Sequence, residues 1–308
     1  AVEAAASPQR WLVLTAFGIV YVVWGSTYLA ILFAIESMPP FLMASTRFLV
    51  AGTALYLFAR RFGGAAAPTR EEWRATAIIG VLLLVFGNGM VVWSEFRIAS
   101  GVAALIVGVV PCCMVLLDWL RPHGTRPGAR VVAGLALGLA GLLVLIGPDA
   151  LMGGGRADLA GVAALVLGSF SWAAGSIYSR HAALPRSPVL ATGMEMLAGG
   201  AGLAVLALLH GETAQLAGTH VSLLSIAGWL YLIVFGSIVA FTAYVWLLRV
   251  STPARVSTYA YVNPVVAVLL GFSLAGEPLT TRMIVAAAVI VSGVALITLA
   301  PRSAEAAS

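Results

Sequence analysis

The residues of this 308-residue chain with types and spacing suited to chemistry are few, and most are aromatic or uncharged. Tyr21, Trp24, Gly25 and Tyr28 follow an i, i+3, i+4, i+7 spacing and share one helix face; Ser169, Trp172, Ser176 and Ser179 do the same, with Tyr178 adjacent. Asn88 and Glu95 are seven apart and coincide in azimuth, Ser237, Phe241 and Tyr244 align, and Tyr259 and Asn263 are four apart. Such faces suit a small amphipathic solute: π-surfaces hold an apolar side chain or a cationic amine, while amides and hydroxyls fix polarity. For any single residue, ordinary hydrogen bonding between helices is the competing explanation. Five such faces together favour a shared cavity. Trp24, Tyr28, Asn88, Trp172, Ser176, Tyr244, Tyr259 and Asn263 are the expected substrate contacts.

Other chemistries lack their residues. The chain contains no lysine and no GxxxxGK[ST] phosphate loop, which argues against ATP-driven transport by this chain alone. HExxH and Gly-x-Ser-x-Gly are absent, and His123, His181, His210 and His220 fall in loops or at the ends of apolar segments. Cys112 and Cys113 are adjacent, a poor arrangement for a disulfide and, without a nearby histidine, for a metal. They read as small packing residues. No enzymatic activity, metal or cofactor is expected.

The elements that must position these side chains are membrane spans. Hydrophobic residues make up 61% of the chain and charged residues 9%, with a mean hydropathy of +1.02; soluble domains average about 25% charged. Ten apolar segments of bilayer-spanning length follow one another: 11–33, 40–59, 75–94, 99–119, 129–147, 159–180, 188–209, 224–247, 254–274 and 282–300. The connections are too short for a soluble catalytic domain. Trp11, Trp73, Trp93, Trp119, Trp229 and Trp246 lie near predicted ends, as an aromatic belt requires. The first segment is long, lacks a convincing cleavage site and has a counterpart in the second half, so it reads as a span rather than a signal peptide. In the charged linker 60–74, Thr69 followed by Glu72 predicts a capping box opening a helix.

The net charge of +5 is spread over the loops and is no nucleic-acid signal. Its sidedness is informative. With the N-terminus inside, thirteen of the seventeen arginines are cytoplasmic, Arg97, Arg156 and Arg282 face out, and Arg47 is intramembrane. The positive-inside rule then places both termini in the cytoplasm.

The two halves read as one text written twice. Trp24-Gly25-Ser26-Thr27-Tyr28 recurs as Ala174-Gly175-Ser176-Ile177-Tyr178, and Arg47-Phe48-Leu49-Val50-Ala51-Gly52 as Glu195-Met196-Leu197-Ala198-Gly199-Gly200. Pro111 and Pro148 return as Pro264 and Pro301. Five crossings per copy invert the second copy relative to the first, a signature of alternating-access transporters. The expected units are 1–148 and 149–308. Pro111 and Pro264, at matched mid-span positions, are candidates for hinges or cavity lining. Arg47 and Glu195, each seven residues into a span, are candidates for ion coupling or gating. Arg47 either serves this or snorkels toward the outer interface; Glu195 is the candidate for proton coupling. Asp118, at a span end, is expected to be solvated. Gly134, Gly138 and Gly141 give small-xxx-small spacing, for packing in the bundle, pairing with the last span, or dimerisation; a monomer is the favoured expectation.

The chain resembles the ten-span EamA-type permeases of the drug/metabolite transporter superfamily. The resemblance rests on Trp24-Gly25-Ser26-Thr27-Tyr28, Thr46-Arg47-Phe48, Ser100-Gly101-Val102-Ala103-Ala104-Leu105 leading to Pro111, and Tyr261-Val262-Asn263-Pro264-Val265 running on to Gly276-Glu277-Pro278-Leu279. It implies two homologous five-helix halves of inverted topology and a metabolite exporter of the inner membrane, several relatives exporting amino acids. One departure is Asp118-Trp119-Leu120-Arg121-Pro122, where many relatives repeat the Gly-Glu element. The expectation is therefore an all-α membrane protein of ten spans in two inverted repeats. It would export amino acids or similar metabolites by alternating access, with lipid and small solute as its partners. A multidrug or lipophilic-cation exporter, and an uncoupled facilitator, are the alternatives.

Overall fold

A computed structural model of the chain describes residues 9–94, 106–122, 124–152, 159–217, 219–275 and 279–300. Glu95, Arg97, His123 and Arg156, the motif segments 100–105 and 276–278, and the side chain of Tyr28 lie outside the described residues. What is described is helical, without strands. The long helices are α1 (Arg10–Ile35), α2 (Pro40–Arg61), α3 (Arg70–Ser94), α4 (Val110–Leu120) and α5 (Ala129–Met152). They continue as α6 (Leu159–Ser179), α7 (Pro188–Leu209), α8 (Leu223–Val250), α9 (Tyr259–Ala275) and α10 (Thr281–Thr298). Among the described residues, seven of these (α1, α2, α3, α6, α7, α8 and α10) are long and apolar enough to cross a bilayer. Trp11, Trp73 and Trp119 point outward near helix ends, whereas Trp229 turns in and donates its indole N–H to Thr46 Oγ1 at 3.2 Å.

Local signals set the helix starts. Ser187, Ser222 and Thr280 accept the backbone N–H three residues on, and Pro40 and Pro188 open α2 and α7, where a missing N–H costs nothing. The capping box forms: Glu72 N–H donates to Thr69 Oγ1 (3.2 Å), and Thr69 N–H donates to the Glu72 carboxylate (2.7 Å). Thr69→Ala should lower stability by about 1 kcal/mol, read as a small fall in melting temperature in detergent. An unchanged melt would show that the start of α3 is held by its neighbours alone.

Glycine governs the closest helix contacts. α2 lies along α7 so tightly that a Cβ on Gly52 would stand 2.9 Å from the Gly193 carbonyl oxygen. α5 lies along α10 in the same way, with a Cβ on Gly134 meeting the Gly293 carbonyl oxygen at 2.7 Å. The glycine face of α5 is therefore filled within the chain: Gly134 and Gly141 abut Ile297 and Ile290 of α10, and Gly138 sits under the Tyr261 ring. Within the chain that face packs against the last helix and, at Gly138, against α9.

The contacts of the two halves match. α1 packs on α8 and α9, and its counterpart α6 packs on α3 and α4; α2 reaches α8 as α7 reaches α3; α2·α7 and α5·α10 pair each helix with its own counterpart. Exchanging the halves maps these contacts onto one another. Midway, α3 and α8 both widen into π-helical stretches, Val81–Asn88 and Leu232–Phe241, at corresponding places. Such widened turns redirect side chains and recur at functional sites.

Candidate substrate cavity

A cavity of about 120 Å³ opens where α1, α2, α3, α4, α6, α8 and α9 converge. A cavity of this order, with polar groups on an otherwise apolar lining, has room for a small solute or a few waters. Of the expected contacts, Trp24, Asn88, Trp172, Tyr259 and Asn263 line it. So do Arg47, Phe48 and Phe241.

The aromatic wall is one connected cluster. The Trp24 ring stands 5.7 Å from Trp172, 6.3 Å from Phe241, 5.0 Å from Tyr244 and 4.9 Å from Tyr259, mostly tilted or edge-on, as ring quadrupoles favour. The Trp24 indole N–H donates to the Gly236 carbonyl at 3.2 Å, a group on the π-helical stretch of α8. Tyr244 and Ser176, expected as contacts, are fully buried and absent from the lining. They stand behind the wall: Trp172 Nε1–H donates to Tyr244 Oη at 2.9 Å, and the Ser176 and Tyr244 hydroxyls are 2.6 Å apart. Their role is to fix the Trp172 ring. Helical spacing correctly put them on the polar side of their helices, but the neighbouring helix closes over that part of the face.

The polar groups differ in how far they are satisfied. The Asn263 amide donates to the backbone carbonyls of Tyr259 (3.0 Å) and Tyr21 (3.3 Å), tying α9 to α1. Asn88 Oδ1 is buried and accepts no hydrogen bond. Arg47 does not snorkel. It is 5% exposed, its Nε donates to Ser237 Oγ at 2.7 Å, and its guanidinium carbon lies 4.6 Å from the Phe48 ring centroid. α8 stands across from it and draws the side chain inward. Phe48 and Thr27 are cavity residues that the sequence reading missed; their adjacency to Arg47 and to Ser26–Tyr28 was the available signal.

Glu195 lies away from the cavity, fully buried on α7, with neither carboxylate oxygen accepting a hydrogen bond. Arg249 of α8 is near enough to interact with it electrostatically, while Arg249 Nη1 donates to the carbonyls of Pro185 (3.1 Å) and Arg186 (3.3 Å) before α7. Pro111 lines no part of the cavity and opens the α4 helix after a turn at Gly108–Val109, instead of interrupting it; Pro264 does lie inside α9, leaving the Ala260 carbonyl without its ladder donor. Asp118 is buried rather than solvated: its carboxylate accepts from Arg121 Nε at 2.8 Å and Thr125 Oγ1 at 3.0 Å, because the chain folds back over it. Just beyond α6, partial burial and then the Arg121 and Arg180 guanidiniums pull His181 below the usual imidazole range, with Asp118 opposing. No cluster of metal ligands occurs among the described residues.

A helical membrane bundle with a mid-helix cavity of aromatic and amide character has the build of a small-molecule transporter, not of an enzyme. The profile of the EamA-like transporter family matches residues 10–147 and again 159–299, and the chain belongs to that family. It is 41% identical over 283 residues to the uncharacterized inner membrane transporter YedA of Escherichia coli, covering 91% of this chain and 88% of that protein. It is 27% identical to the protein PecM of Dickeya dadantii (89% of this chain, 88% of that one). It is also 27% identical to a probable amino-acid metabolite efflux pump of Salmonella typhimurium (89% and 91%). A crystal structure with 21% identity superposes with a TM-score of 0.77 over 95% of this chain and 98% of its own, a likeness of fold.

Proposed function

We propose that this protein is an inner-membrane secondary transporter that exports amino acids or similarly small amphipathic metabolites by alternating access through the central cavity. The observation that carries the reading is the cavity itself: the rings of Trp24, Phe48, Trp172, Phe241 and Tyr259, an unpaired Asn88 carbonyl and a set of apolar helices meet near mid-helix. The name of the Salmonella relative points the same way. In this reading the chain crosses the membrane ten times with both termini cytoplasmic, as two inverted five-helix units, 1–148 and 149–308. The exchange of contacts between halves and the repeated family match support that arrangement. Rocking of one unit against the other around the fixed site alternates access, with Pro264 permitting a bend in α9. Glu195 carries the coupling proton, since a buried carboxylate without hydrogen bonds is costly unless it is neutralised. The aromatic wall by itself also suits a lipophilic cation, the second reading.

Uptake of radiolabelled amino acids into proteoliposomes of purified protein, with and without an imposed pH gradient, tests this. Saturable uptake stimulated by the gradient is expected, with Glu195→Gln removing the stimulation. Uptake indifferent to the gradient would make the protein a facilitator. No uptake of any amino acid by folded protein, with competition only among bulky cations, would overturn the substrate reading.

A further inference from the structure

We infer that Arg47 is the anchor for a substrate carboxylate, so that the cavity selects small molecules joining a carboxylate to an apolar or aromatic group and rejects lipophilic cations. The inference rests on the cavity being the substrate site. A guanidinium stays protonated in proteins, and a charge taken out of water must be paired or bear a heavy desolvation cost. Arg47 is 5% exposed, yet its hydrogen-bond partner is the neutral Ser237 hydroxyl, and no carboxylate faces it among the described lining residues. The Phe48 ring offsets part of the charge and leaves the rest for a ligand.

The geometry favours a planar anion. Ser237 holds Nε, which leaves the terminal nitrogens of the fork for a bidentate contact of the kind carboxylates accept. Nη2 passes Gly236, where a Cβ would crowd it at 3.1 Å, so the π-helical stretch of α8 both grips the guanidinium and makes room for it. The same cavity presents Asn88 Oδ1, a buried acceptor without a donor. A fixed cation, an unfilled acceptor and the Trp24–Trp172–Tyr259 wall match the carboxylate, ammonium and side chain of an α-amino acid. A lipophilic cation would instead meet an unneutralised like charge in a low-dielectric site.

Ligand-induced thermal shift and competition on the purified protein, with matched compounds, test the assignment. Phenylalanine and leucine are each set against their amides; 3-phenylpropionate, phenethylamine and tetraphenylphosphonium complete the series. The acids are expected to bind at least tenfold more tightly than their amides, 3-phenylpropionate to compete, and phenethylamine and tetraphenylphosphonium to fail. Arg47→Gln, which removes the charge, should erase most of the acid-over-amide preference, and Ser237→Ala, which only positions the fork, should reduce it a few-fold. The comparison among ligands on the unaltered protein stands even if an Arg47 variant does not fold. Acids and amides that bind equally, or an undiminished preference in Arg47→Gln, would overturn the anchor and leave the amino-acid transporter reading intact. Binding of tetraphenylphosphonium with no carboxylate competing would overturn both.

Discussion

Gly80→Ala should lose most of its yield of folded, monodisperse protein, while Gly18→Ala should melt at or slightly above the unaltered chain. Both exchanges add one methyl to a long helix, and their surroundings set the difference. A Cβ on Gly80 would overlap the backbone carbonyl oxygen of Glu195 and come within 3.0 Å of the Gly199 amide nitrogen, so α3 and α7 would have to part. Overpacking costs about 1–3 kcal/mol where side chains can turn aside; against backbone, with no rotamer to change, the upper end or more applies. At a few degrees per kcal/mol for a chain of this class, that is a melting temperature about 10 °C lower. At Gly18 nothing lies within 4 Å, and alanine is worth up to about 1 kcal/mol over glycine in a helix. Melting curves in one detergent decide the matter. Equal stability of the two variants would mean that α3 and α7 are not in backbone contact, and the burial of Glu195 would have to be redrawn with them.

That contrast also shows what a sequence of this kind makes legible. Helix positions were readable because a bilayer-spanning segment must be almost wholly apolar, and the described helices α1, α2, α6 and α7 start and stop within about two residues of the expected spans. Periodicity fixes the azimuth of a residue on its own helix, but not what lies across from it. Tyr244 and Ser176 therefore lie on polar faces, as their spacing requires, yet stand behind the cavity wall rather than in its lining. From its position alone Arg47 reads as a snorkelling or an inward arginine; its inward partner, Ser237, lies 190 residues away. The small-xxx-small face of α5 was equally silent about whether Ile297 or a second protomer would cover it. The π-helical stretches of α3 and α8 leave no mark in the sequence beyond a Phe-Gly pair within each, Phe86-Gly87 and Phe235-Gly236. A widened turn depends on how the helix is packed from outside more than on its own residues.

Trp24→Ala should reduce substrate affinity about 100-fold while the protein still folds. Trp24 is the hub of the wall, facing the rings of Trp172, Phe241, Tyr244 and Tyr259 at 4.9–6.3 Å. Removing the indole strips the largest π-surface from the cavity and frees its neighbours to fall inward. Aromatic anchors at binding centres cost about 2–4 kcal/mol when truncated, and 2.7 kcal/mol corresponds to a hundredfold. Trp24→Phe keeps a ring and loses the 3.2 Å hydrogen bond to the Gly236 carbonyl, worth about 1 kcal/mol, so its loss should stay below tenfold. α6 provides the control on chemistry rather than position. Trp172 lines the cavity, whereas Phe170, two residues earlier, is half exposed on the outer surface; Trp172→Ala should behave like Trp24→Ala and Phe170→Ala like the unaltered protein. The outcome bears on mechanism as well as site, because the Gly236 carbonyl that orients Trp24 precedes Ser237, which orients Arg47. One short stretch of α8 holds both the apolar and the charged side of the cavity, so any rocking that shifts α8 against α1 and α2 must disturb both together. An affinity unchanged in Trp24→Ala and Trp172→Ala would place the solute elsewhere in the bundle, and the coordinated loss of both sides is the result that alternating access about this cavity requires.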